Sequence, residues 1–273
     1  DAPRFTGSQA DGVAEAEHLL RAIMRQRAGR ASGHGALLSG GLDSSLLTWL
    51  LAETLGPGVR FPLLTSAAPE GSGLANELAK ARIVGDALGQ TVHPVLPPAD
   101  WSPYRLSTNQ LMLGNGVIQS PRHYLYQRFS EDAAALGVQA LYDGVYGEHT
   151  VTARYPLATA GFRLRMLLRR LRGLDPVFSA RRSRSFVQLA PHRAAALPDA
   201  IIAAQRDEIE PSYRLPRPGE PWLFVPGDSM RLGAASEMLP GRVRAELPYR
   251  DVRLWRLFMG FPTDFAVRDT MLR

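Results

Sequence analysis

Cysteine is absent from the sequence, which excludes disulfide bonds, thiolate metal sites and a cysteine nucleophile. Apolar runs of membrane-spanning length are also absent, and residues 1–4 lack the pattern of a secretory signal. We therefore expect a cytoplasmic protein that has no membrane partner. With 273 residues and 45% hydrophobic content, the chain can bury a core as one large domain or as two small ones.

Lysine is nearly absent: Lys80 is the only one, and the other positively charged side chains are arginines. Residues 161–184 contain eight arginines against Asp175, so this segment carries +7 and the rest of the chain about −1 of the +6 total. A solvated helix face, a surface for an acidic polypeptide and a nucleic-acid site remain open for the segment. Its few aromatic residues disfavour base stacking, and therefore nucleic acid.

The strongest pattern in the sequence is a glycine turn between a short apolar run and an amphipathic helix. The run at residues 36–38 predicts a buried strand, and leucines at helical spacing predict a helix over 46–55. Between them, residues 39–45 read Ser-Gly-Gly-Leu-Asp-Ser-Ser. Glycine permits positive φ and close approach of the backbone, and a helix N-terminus offers unpaired amides and partial positive charge.

This turn is predicted to bind an anion, with hydroxyl donors from Ser39, Ser44 and Ser45. Asp43 would repel a bare phosphate, so its presence indicates a divalent cation between the two. A plain helix N-cap is the alternative, but it explains one residue and leaves the glycines and the serine cluster unexplained. The pattern is not a Walker motif, because no Gly-Lys-Ser/Thr follows the glycines.

The stretch Leu-Ser-Gly-Gly-Leu-Asp-Ser-Ser, residues 38–45 and hereafter the first loop, resembles the pyrophosphate loop of the N-type ATP pyrophosphatases. It is most similar to the synthetase domain of asparagine synthetase, β-lactam synthetase and the lasso-peptide cyclases. In that family a substrate carboxylate attacks the α-phosphorus of ATP, and an amine captures the acyl-adenylate to give an amide. The resemblance therefore implies ATP and Mg²⁺ as cofactors and a carboxylate, from a small molecule or a peptide, as substrate.

The order of the predicted elements favours an α/β fold with a parallel, doubly wound sheet flanked by helices. The resemblance implies its adenine nucleotide alpha hydrolase-like (HUP-type) version. A tail or linker is predicted at 1–10 and one domain at 11–273, divided into a nucleotide-binding sheet core at 11–156 and a mostly helical, substrate-side portion at 157–273. Strands are predicted at 36–38, 59–66, 91–95 and 138–142, and helices at 11–29, 46–55, 76–88 and 120–135.

A second glycine turn, residues 143–149 and hereafter the second loop, follows the predicted fourth strand. Ligands of open α/β sheets bind at the carboxyl ends of strands, where both loops emerge. Relatives carry a Gly-x-Gly-Gly/Ser-Asp pattern here, and the resemblance matches Gly144 to its first glycine and Glu148 to the acid that binds magnesium. Tyr146 stands where the family has glycine. An ordinary glycine turn with a solvated glutamate is the alternative.

The resemblance implies that Asp43 and Glu148 hold magnesium and take part in catalysis. His123 is a candidate for proton transfer. The family's lysine that contacts the α-phosphate has no match near the end of the chain, and Arg268 is the candidate replacement. The predicted ATP and pyrophosphate site consists of both loops and the end of the second strand: Leu38, Ser39, Gly40, Gly41, Leu42, Asp43, Ser44, Ser45, Thr65, Ser66, Gly144, Val145, Tyr146 and Gly147.

Residues 246–251 resemble the family's R-x-P-F-L-D segment, with Tyr249 in place of the usual phenylalanine. A helix is predicted over 252–258, and Asp251 is predicted to cap it.

Three functions remain open. A lasso-type macrolactam synthetase would join a peptide's side-chain carboxylate to its N-terminal amine, with a precursor peptide and its processing protein as partners. The lack of a glutaminase cysteine and the arginine-rich segment favour it. Asparagine synthetase, supplied with ammonia or glutamine from elsewhere, is the second. A non-catalytic relative that binds nucleotide or peptide is the third, suggested by Tyr146 and the missing lysine.

Overall fold

The computed structural model describes five stretches of the chain and three single residues. They are residues 4–67, 77–96, 123–147, 150–151 and 243–261, with residues 164, 168 and 171. The contacts given below join residues within this part of the chain.

The described residues form a sheet of five parallel strands in the order β3-β2-β1-β4-β5. The chain leaves β1 toward β2 and β3 on one side, and returns to place β4 and β5 on the other. Such a reversal opens a crevice at the carboxyl ends of the two central strands, β1 and β4. The strands are β1 (His34–Leu37), β2 (Leu63–Ser66), β3 (Val92–Val95), β4 (Ala140–Tyr142) and β5 (Arg244–Glu246).

Helices cover both faces of this sheet, which confirms the predicted parallel, doubly wound α/β fold. Successive strand residues point to opposite faces: Leu63 and Tyr142 pack with α1, α2 and α5, whereas Leu64 and Leu141 pack with α4. None of the helices in the described ranges is both long and apolar enough to cross a bilayer. The helices are α1 (Gln9–Ala28), α2 (Leu42–Leu55), α3 (Glu77–Leu88), α4 (His123–Ala135) and α5 (Val252–Gly260).

The prediction of a tail through residue 10 is wrong at its C-terminal end. Ser8 and Asp11 form a capping box, in which the Ser8 hydroxyl accepts the N–H of Asp11 and the Asp11 carboxylate accepts the N–H of Ser8, so α1 begins at Gln9. Phe5 is also fixed, because its N–H donates to the carbonyl of Gly260 at 2.9 Å and its ring packs edge-on against Phe261. The start of the described chain therefore packs against the end of α5.

The bounds of β1, β3 and β4 differ from the predicted ones by one or two residues, and two strands differ more. β2 begins at Leu63 and not at residue 59, because Gly58 takes a φ of +82° in a turn and Phe61 donates its N–H to the Gln90 side chain. β5 was not predicted at all. It is three residues long, and Arg244 and Glu246 give it no apolar face that a pattern could detect.

The C-terminal segment, residues 243–261, is anchored by a buried carboxylate. Glu246 at the end of β5 is 3% exposed and accepts hydrogen bonds from Arg27 of α1 at 2.8 Å and from Arg244 at 2.6 Å. A 3-10 turn follows at Pro248–Arg250, and Asp251 then caps α5 by accepting the N–H of Arg253, which confirms the predicted cap. The segment thus joins the sheet, α1 and the edge where the loops emerge.

Candidate functional site

The first loop connects the end of β1 to the start of α2 with the backbone of an anion-binding turn. α2 begins at Leu42 and not at residue 46, so Asp43 and Ser44 lie in its first turn. The N-cap is Gly41 in an extended conformation, and no side chain caps the helix. The alternative that Asp43 or a serine serves only as the cap is therefore contradicted. N–H groups in the first turn of a helix have no acceptor within the helix, so this turn has the polarity that suits an anion.

Gly40 is the position where the first loop requires glycine. Its φ is +72°, a conformation that residues with a side chain rarely adopt. A Cβ at this position would overlap the Lys80 side chain and approach the backbone nitrogen of Ala81 to 3.0 Å. The first loop therefore packs directly on α3.

Two of the three predicted serine donors maintain the shape of the loop itself. The Ser44 hydroxyl accepts the N–H of Ser39 at 3.2 Å, lies 3.0 Å from the Ser39 hydroxyl and donates to the Gly41 carbonyl at 3.2 Å. Ser45 is half-buried, and its N–H donates to the same carbonyl. With these hydroxyls engaged within the loop, the predicted anion site relies on the amides of the first helical turn, where the helix dipole adds partial positive charge.

The second loop, described here for residues 143–147, packs against the first. A Cβ on Gly144 would approach the backbone N and Cα of Ser44 to 3.0 Å, and a Cβ on Gly147 would overlap the Asp43 carboxylate. Both glycines are therefore required by the close approach of the loops. The structure places the Asp43 side chain at their junction, at the carboxyl ends of the adjacent strands β1 and β4.

Tyr146 adopts a backbone conformation that favours glycine, and its side chain is buried in the core. Its φ is +75°, which explains why a glycine would suit this position. Its side chain is 3% exposed and lies in the main core, edge-on to Trp255 with 6.2 Å between ring centroids. The ring of Tyr146 is therefore directed into the core, so its backbone, and not its ring, is the part that could contact a nucleotide.

Asp143, which was not predicted as a site residue, shapes the second loop. Its carboxylate is buried at the end of β4 and accepts the N–H of Val145 at 3.2 Å and the hydroxyl of Tyr126 at 3.3 Å. The contact with Tyr126 shows that the first turns of α4 lie at the same edge of the sheet. Sequence reasoning passed over Asp143 because an aspartate before a glycine is an ordinary turn signal.

The end of β2 carries a buried hydroxyl, that of Thr65. Thr65 is 1% exposed, and its Oγ1 has no hydrogen-bond partner among the described residues. Ser66 donates its hydroxyl to the Glu77 carboxylate at 2.6 Å, and Leu38 is buried with its N–H bonded to the carbonyl of Leu64. A buried hydroxyl that lacks a protein partner is the kind of group that a ligand or an ordered water satisfies.

Lys80 lies beside the first loop although it was not predicted as a site residue. It is exposed on α3, its Cβ lies against Gly40, and within the described ranges its ammonium has no ion pair or hydrogen bond. The signal was present in the sequence, since this is the only lysine of the chain. Which helix brings it to the loop could not be inferred from the sequence.

Tyr249 is a second residue that sequence reasoning missed. It is completely buried, and its hydroxyl donates to the backbone carbonyl of Asp43 at 2.9 Å. Burial, and secondarily the nearby charge of Asp43, raise the pKa of Tyr249 well above its ordinary value, so the hydroxyl keeps its proton and remains a donor. The sequence indicated only a substitution of phenylalanine by tyrosine.

Three predicted catalytic residues are described incompletely or not at all. Glu148 and Arg268 lie outside the described residues, so their roles remain predictions. His123 is the first residue of α4, one turn before Tyr126, which places its backbone at the site edge; its side chain is not described.

The described residues fit a nucleotide with magnesium at this edge. Gly40 and Gly147 let the first loop pack closely on α3 and on the second loop, the Thr65 hydroxyl has no hydrogen-bond partner among the described residues, and Asp43 offers the oxygen donor that magnesium prefers. Glu148 directly follows Gly147 in the chain. Among the described residues, no group of three or more histidine, aspartate and glutamate side chains could by itself hold a metal ion.

Comparison with known proteins identifies a family. The family described as asparagine synthase matches residues 15–208. No curated protein matches the chain. Among solved structures, an NH3-dependent NAD synthetase from Campylobacter jejuni is 14% identical, with 73% of this chain and 96% of that chain covered and a TM-score of 0.32. The U34-tRNA thiolase NcsA from Methanococcus maripaludis is 16% identical, with 92% and 80% covered and a TM-score of 0.34. Similarities this weak show nothing about the function of this chain.

Proposed function

Because this chain belongs to the asparagine synthase family, we propose that it is an ATP-dependent synthetase that adenylates a carboxylate, releases pyrophosphate and joins the acyl group to an amine. The observation that carries the proposal is the contact between the two loops, in which Gly147 lies against the Asp43 carboxylate. This contact brings the second loop beside the first turn of α2, which carries both the amide donors and the Asp43 carboxylate.

In the proposed first step, a carboxylate oxygen of the substrate attacks the α-phosphorus of ATP. The bond from that phosphorus to the bridging oxygen breaks, and pyrophosphate leaves with the electron pair. The first-turn amides of α2 donate to the oxygens that gain charge, and Lys80 lies close enough to the first loop to supply a cation. In the second step an amine nitrogen attacks the acyl carbon, loses a proton and displaces AMP.

Asp43 and Glu148 are the residues that would hold magnesium. When bound, the ion offsets the negative charge of the phosphate oxygens. Asp43 is fixed for this role because it lies in the first turn of a helix whose start packs against the second loop. His123 is the proposed acceptor for the proton of the amine, since its helix begins at the same edge of the sheet.

Within this class we propose a lasso-type macrolactam synthetase, which acts on a precursor peptide delivered with its processing protein. Two features of the sequence support this substrate. The chain has no cysteine that could serve as a glutaminase nucleophile, and a peptide supplies its own amine. The arginines of residues 161–184 would attract a peptide that carries acidic residues.

The test measures pyrophosphate release from Mg-ATP with three acceptors. They are synthetic peptides with a free N-terminus and an internal aspartate or glutamate, the same peptides acetylated at the N-terminus, and aspartate with ammonia. A macrolactam synthetase should release pyrophosphate with the free peptides and convert them to products that have lost one water by mass spectrometry. The acetylated peptides should give no cyclic product, because they have no amine to close the ring.

Turnover with aspartate and ammonia alone would identify asparagine synthetase instead. Binding of ATP without pyrophosphate release, with every acceptor, would identify a non-catalytic relative and overturn the enzymatic proposal.

A further inference from the structure

Three aromatic residues connect the two loops to the C-terminal segment. We propose that this aromatic clamp, formed by Tyr146, Trp255 and Tyr249, makes Tyr249 and Trp255 positioning residues for nucleotide binding. The inference rests on the proposed function, because it assigns a support to the same nucleotide site.

The first link of the clamp joins the C-terminal segment to the first loop. The hydroxyl of Tyr249 donates to the carbonyl of Asp43 at 2.9 Å, and the tyrosine is fully buried beneath the start of α2. In the helix the same carbonyl accepts the N–H of Leu47. A carbonyl oxygen has two lone pairs, so Tyr249 adds a second bond to the residue whose carboxylate faces Gly147.

The second link joins the segment to the second loop. The ring of Trp255 packs edge-on against Tyr146, with 6.2 Å between centroids and 71° between planes, and its indole N–H donates to the carbonyl of Tyr249 at 2.7 Å. One tryptophan therefore fixes the residue that holds Asp43 and also contacts the second loop. A displacement of either loop must disturb the same three side chains.

The clamp also gives each of its two tyrosines a role. The side chain of Tyr146 gives Trp255 a partner, and the hydroxyl of Tyr249 gives Asp43 a donor. A tyrosine with a φ of +75° is costly, which indicates that its side chain is needed where it lies.

A purely structural role would produce a different result from positioning. If the three residues only filled the core, loss of the Tyr249 hydroxyl would lower stability without changing the loops. Tyr142 provides a matched control, since it is as deeply buried in the same core and its hydroxyl has no hydrogen-bond partner in the described part of the chain. Tyr142→Phe and Tyr249→Phe thus remove the same group, with and without a contact to Asp43.

The experiment measures two quantities in the full chain. Calorimetry gives the affinity for the α,β-methylene analogue of ATP with magnesium, and amide exchange without ligand gives the protection of the Leu47 N–H. We expect Tyr249→Phe to lower the affinity for the analogue about fivefold to tenfold and to speed the exchange of the Leu47 N–H, since a buried hydrogen bond is lost. Tyr142→Phe should leave both quantities at the parental values.

Trp255→Phe keeps a ring in place but removes the N–H that holds Tyr249. The double variant Tyr249→Phe/Trp255→Phe should lose less affinity than the two single losses combined, because Trp255 donates to the carbonyl of Tyr249 and would act on Asp43 through that residue. Additive losses would show that Trp255 does not act through Tyr249.

The two readouts separate failure of the clamp from failure of the proposed function. If the parent protein binds no analogue, the proposed function fails, and faster exchange at Leu47 in Tyr249→Phe alone would still support the clamp. If Tyr249→Phe matches the parent in affinity and in exchange, the clamp is overturned. Equal effects of Tyr142→Phe and Tyr249→Phe would also overturn it.

Discussion

The first loop and the C-terminal segment meet at the same edge of the sheet, but they contribute to it in opposite ways. The first loop acts through its own backbone: a left-handed glycine, hydroxyls that bond within the loop, and the amides of a helix start. The C-terminal segment acts through side chains: the Tyr249 hydroxyl reaches Asp43, 206 positions earlier in the chain, and the Trp255 ring reaches Tyr146.

From this difference we expect the two regions to tolerate substitution differently. A backbone turn built from neighbouring residues is set by the identity of those residues, so glycine and serine are required at fixed positions. A contact between distant residues needs only a side chain of suitable shape and chemistry. The predictions below challenge this contrast, beginning with the largest effect.

Replacing Asp43 with alanine should have the largest effect on turnover. We expect pyrophosphate release to fall about a thousandfold, or ~4 kcal/mol, because the carboxylate at the junction of the loops is lost. The melting temperature should stay close to that of the parent, since the side chain is only half-buried. Asp86→Ala, an exposed carboxylate on α3, is the control and should retain full activity. Parental turnover in Asp43→Ala would remove its assignment to magnesium.

Replacing Glu246 with alanine should have the largest effect on stability. Glu246 is 3% exposed and paired with Arg27, and loss of one partner of a buried pair costs about 3 kcal/mol. Denaturant unfolding measures this change. Glu53→Ala breaks the exposed pair between Glu53 of α2 and Arg21 of α1, the helix that also carries Arg27, and should cost at most about 0.5 kcal/mol. Equal losses in the two variants would show that the anchor of the C-terminal segment is unimportant.

Two glycine substitutions isolate the contact between the first loop and α3. Gly40→Ala and Gly137→Ala both place a side chain at positive φ, but only the Cβ at Gly40 would meet neighbours, in Lys80 and Ala81. We expect Gly40→Ala to be the more destabilising by about 2 kcal/mol, and to weaken ATP binding as well. Equal unfolding energies would show that the loop can move away from α3 at no cost.

Removing the charge of Lys80 should give a smaller effect. We expect Lys80→Met to weaken Mg-ATP binding about fivefold with no loss of stability, because an exposed ammonium beside the loop adds a screened attraction for phosphate. Lys80→Arg should retain most of the affinity. Arg82→Met on the same exposed helix removes an equal charge elsewhere, and an identical loss there would indicate a general effect of charge.

The pH dependence of the cap on α5 should give the smallest effect. Hydrogen bonds from Arg253, and secondarily its charge, hold the pKa of Asp251 below the ordinary aspartate value of 3.8. A lowered folded-state pKa means that this contribution is complete above 3.8 and is lost as the pH falls below that value. The slope of stability against pH in that acidic range should therefore be shallower in Asp251→Asn. An unchanged slope would show that ionised Asp251 does not stabilise the start of α5.

Local patterns predicted much of the fold and one side of the candidate site. The alternation of strands and helices predicted the parallel sheet, and the run of glycine, aspartate and serine predicted the first loop. Both follow from short-range rules: side-chain periodicity, the conformational freedom of glycine and the polarity of helix ends. Helix starts were less accurate, since α1 and α2 begin earlier than predicted where Ser8 and Gly41 act as N-caps.

The features that the sequence did not predict share a different cause. β5 became a strand because β4 offers it a partner, and its three residues carry no periodicity of their own. Lys80, Tyr249 and Trp255 joined the site because α3 and the C-terminal segment return to the edge where the loops emerge. Nothing in the neighbouring sequence of these residues indicates where their elements pack.

By itself, the sequence determined where glycine turns lead out of strands and which segments can be buried, because these properties belong to a few consecutive residues. Only the tertiary structure decided that Gly147 would lie against Asp43, that Tyr146 would direct its ring into the core, and that a distant tyrosine would hold the first loop. Such contacts form where the packing of the whole sheet brings strand ends together. Their geometry depends on every helix that covers the sheet.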